Sequence, residues 1–316
     1  MNESDTSSST SEERKFSLFR AKFIILIFLQ IPAILITVVI FIFFIIRRTT
    51  LEKLQNQSTL ILLLANFIRL LTTMSMPIDF YRRGYVSPST SIYCTLWTFG
   101  EYSLAVIGEY LMASISIQRH AFIFHPNLFR TSLKSFLFFY VPLVFSIAYP
   151  AAFYLYAIIL YPCHSQWDYT STVCGYMNCY YDNKILGLFD WVMNNIVPIV
   201  FIIIANVTLI VRVVVGKRRR NQVVSWRKQR YMTIQLFNIS SLFVIAWSPS
   251  IVVGLLQQAT STSLFVDIQL NYVMELIYLA CLLVPWACVS LLPEFRKWIW
   301  KYFDRVRIGH STIVPY

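Results

Sequence analysis

The residues of this chain that could do chemistry are few, and most lie inside apolar runs. Gln118-Arg119-His120 closes one such run, with Glu101 18 residues and Cys94 25 residues before the arginine. On a helix these separations are about 27 Å and about 37 Å, and 18 residues make five turns, so Glu101 and Arg119 share a face. Arg69, Glu109, Asp190 and Glu275 are the other ionisable groups in apolar surroundings. At mid-membrane each costs on the order of 2.5–3.5 kcal/mol and therefore faces protein or a polar cavity. The chemistry they suggest is ion pairing and recognition. No HExxH, GxSxG or paired intramembrane aspartates accompany the four histidines, so no enzyme is expected. Cys94, Cys163, Cys174 and Cys179 lack a CxxC pair, so disulfides are expected and no metal or other cofactor.

The elements that must hold these residues follow from composition. Of 316 residues, 57% are hydrophobic, 16% aromatic and only 13% charged, too apolar for a soluble domain. Crossing hydrocarbon takes about 20 apolar residues, and Phe23 to Ile46 supplies them. Further runs are Thr59 to Pro77, Tyr93 to Ile117, Ser135 to Tyr161, Leu186 to Val215, Met232 to Gln257 and Ile268 to Leu292. The expected fold is an all-α membrane protein, a seven-transmembrane helix bundle with a short interfacial eighth helix. Residues 1–20 are expected to be a disordered extracellular tail, 21–303 the membrane domain and 304–316 a short cytoplasmic tail.

Charge sets the orientation. With the N-terminus outside, the outer side holds 7 Lys and Arg residues and the inner side 19, although the N-terminal flank alone dissents, with four against three. The formal charge of +12 is then mostly a cytoplasmic apron facing anionic membrane lipids, with no nucleic-acid partner. The four cysteines lie on the outer, oxidising side, where three pairings are open. Asn2, in Asn-Glu-Ser, is the candidate glycosylation site. If the spans end as counted, Arg69 and Glu109 both lie about 15 Å from the inner side and are expected to pair. The competing reading has Arg69 snorkelling and Glu109 protonated.

Prolines inside spans remove hydrogen bonds, so Pro198, Pro249 and Pro285 predict three kinks against a protein-lined cavity. Together, Cys94 with Gln118-Arg119-His120, Ala246-Trp247-Ser248-Pro249, Pro198 in NNIVPIVF, and Pro285 with Phe295-Arg296-Lys297 resemble the rhodopsin-like (class A) G-protein-coupled receptors over essentially the whole chain. The resemblance implies a plasma-membrane receptor for an extracellular ligand, with a heterotrimeric G protein as its inner partner. It implies Trp247 as a lever and Gln118, Arg119, His120, Pro249 and Pro285 as switch positions. It places Glu101 where amine receptors of the family hold a ligand ammonium. With Trp247, Met274 and Tyr278 around it and Asp190 adding negative charge, a cationic amine or a basic peptide is the expected ligand, and uncharged ligands stay open. It also implies Cys94 paired with Cys179 and Cys163 with Cys174, with Cys94–Cys174 as the alternative.

The departures from the family pattern are specific. Gln118 and Gln229 replace the two acids that restrain the arginine, so a weakened lock and raised basal signalling are expected. Ile68 falls where the family has its second-helix Asp, which leaves the sodium site of the family in doubt. A transporter or channel of seven helices is the alternative; against it, no inverted repeat or ring of charges is present.

Overall fold

In lipid every backbone amide must find its partner within the protein, so apolar runs of this length fold as helices. The computed structural model describes residues 3–124, 131–175, 179–219, 223–260 and 263–301, and these form seven spans. Asn2, the His125-Pro126 turn and the side chains around Gln229 lie outside the described residues. Among the described residues, six helical segments are long and apolar enough to cross a membrane. The third span, Ser91–Phe124, contains Glu101, Glu109 and Arg119 and is enclosed by the others, so it has little need of an apolar surface.

The first span is one helix, Glu3–Ile46, and runs through the stretch expected to be disordered. Residues 3–31 contain neither Gly nor Pro, and a helix nucleated in the apolar part propagates outward at little cost. Its outer part is packed: Phe19 meets the rings of Phe80 at 5.6 Å and Tyr81 at 5.4 Å. Lys22 bonds Glu275 at 3.1 Å and the Asn271 carbonyl at 2.8 Å, while Tyr81 donates to the same Glu275. Helices one, two and seven are thereby tied at the outer rim.

The second span, Leu54–Leu71, breaks at residues 72–74 and resumes as Ser75–Arg83. Pro77 cannot donate a backbone bond, and around the break the Met74 amide reaches back five residues to the Arg69 carbonyl (3.0 Å). Gln30 on the first span donates to the Leu70 carbonyl (2.7 Å). Ile68, the position expected to stand for the family Asp, is 43% exposed on the outer surface of the bundle, whereas Arg69 turns inward.

Two wide, π-helical turns in the fifth and seventh spans shape the outer half. Asp190–Ile196 precedes Val197–Arg219 in the fifth span, and Gln269–Val273 precedes Met274–Leu291 in the seventh. Pro198 has no amide to give the Asn194 carbonyl, which favours the widened turn before it. The sixth span, Val223–Thr260, stays helical through Pro249, and the seventh does so through Pro285. On the inner side a helix over 293–301 is pinned by Phe295 and Trp298 against Phe43, with ring centroids 5.4 and 5.6 Å away.

The outer loop overturns the preferred disulfide pairing in favour of the alternative, Cys94 with Cys174. Cys94 bonds Cys174, and Cys163 bonds Cys179, each with Cα atoms 5.8 Å apart. The loop leaves the fourth span at Cys163 and re-enters near Cys179, so that pair staples its two ends. Cys174 sits at the turned-in tip, where Val173 and Cys174 adopt φ of 50° and 53°, rare for a β-branched residue. The Asp168 amide bonds the Cys174 carbonyl (3.1 Å) within the loop, and the Val86 amide, between the second and third spans, bonds the Tyr169 carbonyl (2.8 Å). Burial pushes the Asp168 carboxyl up, but hydrogen bonds from Ser171 and Thr170 outweigh it and hold it below the usual range.

Candidate ligand pocket and its ion pair

The central polar contact joins Arg69 of the second span to Glu101 of the third. The sequence expectation of an Arg69–Glu109 pair is therefore replaced. The second helix starts at Leu54, five residues before the expected Thr59, which moves Arg69 outward by about 7.5 Å, so that its depth no longer matches that of Glu109. Gln55 faces Arg119, so Arg69 stands about 21 Å above that level, between Glu109 at about 15 Å and Glu101 at about 27 Å. The guanidinium reaches the outer carboxylate, and both Glu109 oxygens are buried without a hydrogen-bond partner.

Above this pair lies a cavity of about 400 Å³ in the outer half of the bundle. Glu101 and Tyr102 of the third span, Trp191 and Asn195 of the fifth, Trp247 of the sixth and Gln269 and Met274 of the seventh line it. The two π-helical turns supply Trp191, Asn195 and Gln269. A wide turn rotates the following side chains relative to a regular helix, which regular periodicity does not anticipate. Gln269 donates to Ser250 Oγ at 2.7 Å and keeps its Oε1 without a partner, as Glu101 keeps its Oε2.

A second cavity of about 370 Å³ lies beneath, lined by Asn66, Arg69, Phe243, Cys281 and Val284 among others. Trp247, Ala105 and Ile277 border both cavities. The wall between them thus consists of one indole with its neighbours, bridged by an ion pair whose cation lines the lower chamber and whose anion lines the upper. Cys281 donates its thiol to Asn66 Oδ1 (3.2 Å) in the lower chamber.

Other expected ligand residues sit elsewhere. Asp190 lines neither cavity; its carboxylate accepts from Tyr154 (2.8 Å), Tyr180 (2.9 Å), Tyr181 (2.9 Å) and Asn194 Nδ2 (2.6 Å). These four donors leave it little capacity for a ligand. Its work is to hold the outer loop, since Tyr180 and Tyr181 follow Cys179 directly, and Tyr181 lines the upper cavity. Tyr278 is fully buried and also lines neither cavity. Gly254, which regular periodicity does not single out, lets the Trp191 indole lie against the sixth span. A Cβ there would come within 2.2 Å of the ring.

At the inner end Arg119 is 3% exposed. With its amide oxygen turned to the guanidinium, Gln55 accepts from both terminal nitrogens, the longer bond being 3.0 Å. Gln118 turns away and donates to the Phe139 carbonyl (2.9 Å), and the His120 ring meets Phe124 at 5.0 Å. The arginine expected to lack restraint is thus held by a neutral amide from the second span.

The family model described as 7 transmembrane receptor (rhodopsin family) matches residues 37–287, and the chain belongs to that family. It is a multi-pass membrane protein and a signalling receptor by family. No curated protein matches it.

Proposed function

We propose that this receptor sits in the plasma membrane with its N-terminus outside, binds an extracellular ligand in the upper cavity and activates a heterotrimeric G protein at its inner face. The observation that carries this reading is the continuity from the upper cavity, through Trp247 and the Glu101–Arg69 pair, to the lower cavity. A ligand that changes how Trp247 or Glu101 is seated changes the contents of the interior, and so biases helix positions at Arg119. The excess of basic residues on the inner side supports the orientation.

Nucleotide exchange on a supplied G-protein heterotrimer, run beside ion flux in proteoliposomes, tests the activity. Exchange that rises with receptor and falls with Arg119→Ala is expected. Flux without exchange would replace the reading by a transporter or channel. Tags at either end, probed on intact cells, test the orientation.

A further inference from the structure

The upper cavity does not have the charge of a cation site. Glu101 is its one carboxylate among the described residues, and Glu101 Oε1 is already bound by the Arg69 guanidinium. Guanidinium stays protonated in proteins, so the pair is neutral as a unit. An ammonium entering this enclosed site would place two cations on one carboxylate and lose its hydration without a net opposite charge. Glu109 lines neither cavity, and Asp190 is spoken for by its four donors.

Two of the residues that line the upper cavity carry buried acceptors. Glu101 Oε2 and Gln269 Oε1 belong to residues 1% and 0% exposed, come from two different spans, and have no hydrogen-bond partner. A buried acceptor left empty costs free energy that a donor from a ligand recovers. Around them stand the rings of Tyr102, Tyr154, Tyr181, Trp191 and Trp247. Resting on the receptor reading above, we infer that the ligand is a small, uncharged, ring-bearing molecule that donates two hydrogen bonds, one to Glu101 Oε2 and one to Gln269 Oε1.

The test uses the purified full chain in nanodiscs and three probes at millimolar concentration: 5-hydroxyindole, 5-methoxy-1-methylindole and tryptamine. The first is neutral with two donors, the second has the same ring system with neither, and the third carries an ammonium. Thermal unfolding should be raised by 5-hydroxyindole and not by its methylated analogue. The midpoint concentration should be lower for 5-hydroxyindole than for tryptamine by roughly tenfold or more. Gln269→Leu should remove most of the 5-hydroxyindole shift. Arg69→Gln, which releases Glu101 as a free carboxylate, should invert the order so that tryptamine stabilises best. Equal shifts from the methylated analogue, preference of the wild type for tryptamine, or no shift from any probe would each overturn the inference. Because this readout contains no G protein, donor-dependent stabilisation without nucleotide exchange sinks the coupling proposal alone.

Discussion

Arg69 and Glu101 form an ion pair between the second and third spans, their side chains only 8% and 1% exposed. Removing either partner leaves a charge in a place that water does not reach. Arg69→Gln or Glu101→Gln alone should therefore lower stability by about 3–5 kcal/mol, whereas the double substitution should recover a large part of the loss. Thermal unfolding of the three variants in nanodiscs decides it. Additive losses in the double variant would mean that the two side chains act independently.

Asp190 should control the loop more than the ligand chemistry. Its replacement by Asn removes the charge that Tyr154, Tyr180 and Tyr181 all donate to. Hydrogen exchange over residues 179–182 is expected to accelerate in Asp190→Asn, with the Cys163–Cys179 bridge still formed. Unchanged exchange in that segment would show that the disulfide alone holds the loop.

The parts legible in the sequence were those set by length and period. Seven apolar runs, their charge asymmetry and the 25-residue step from Cys94 to Arg119 needed only helix geometry and the membrane thickness. What escaped depended on departures from a regular helix or on chain folding at a distance. The helix start at Leu54 moved Arg69 outward by five residues, to a depth midway between Glu109 and Glu101, and its guanidinium takes Glu101. The turn around Asp190–Ile196 and that around Gln269–Val273 rotated pocket residues that a period of 3.6 misplaces. The choice of Cys174 over Cys179 for Cys94 rested on a backbone with positive φ at Val173, for which no local residue preference speaks. The saturation of Asp190 came from Tyr180 and Tyr181, on a loop whose path no pattern announces.

Gly254 is the other departure that carries a consequence. A methyl group there would overlap the Trp191 ring, so Gly254→Ala should cost about 1–3 kcal/mol by overpacking and push the indole into the cavity. Pairing it with Trp191→Phe should restore part of the stability. A Gly254→Ala variant as stable as the wild type would place Trp191 elsewhere.

The inner end offers a pH test outside the membrane. The hydrogen bond from Lys53 Nζ, opposed by partial burial, holds the Glu294 carboxyl below the usual range. A depressed folded-state value means that the contribution to stability is present above the ordinary carboxylate value of about 4.3 and is lost as pH falls through the lowered one. Lys53→Met should return Glu294 toward that ordinary value, read by carboxyl ¹³C titration. Both side chains are substantially exposed, so the accompanying change in stability should be small. A titration unmoved by Lys53→Met would assign the depression to another neighbour.

The restraint on Arg119 leads to the last expectation. Missing both acids, this arginine was expected to be loosely held, yet Gln55 accepts from its two terminal nitrogens at the start of the second span. A neutral acceptor gives a weaker bond to a guanidinium than a carboxylate would, so the closed arrangement should be held but shallow. If the receptor couples as proposed, Gln55→Leu removes the acceptor and should raise basal nucleotide exchange severalfold. Gln55→Glu strengthens the contact into an ion pair and should lower exchange below wild type. The opposite responses of these two variants separate a restraint from mere packing, since loss of packing would move both in the same direction. Equal basal exchange in Gln55→Leu, Gln55→Glu and wild type, at matched surface expression, would remove Gln55 from any role in holding Arg119.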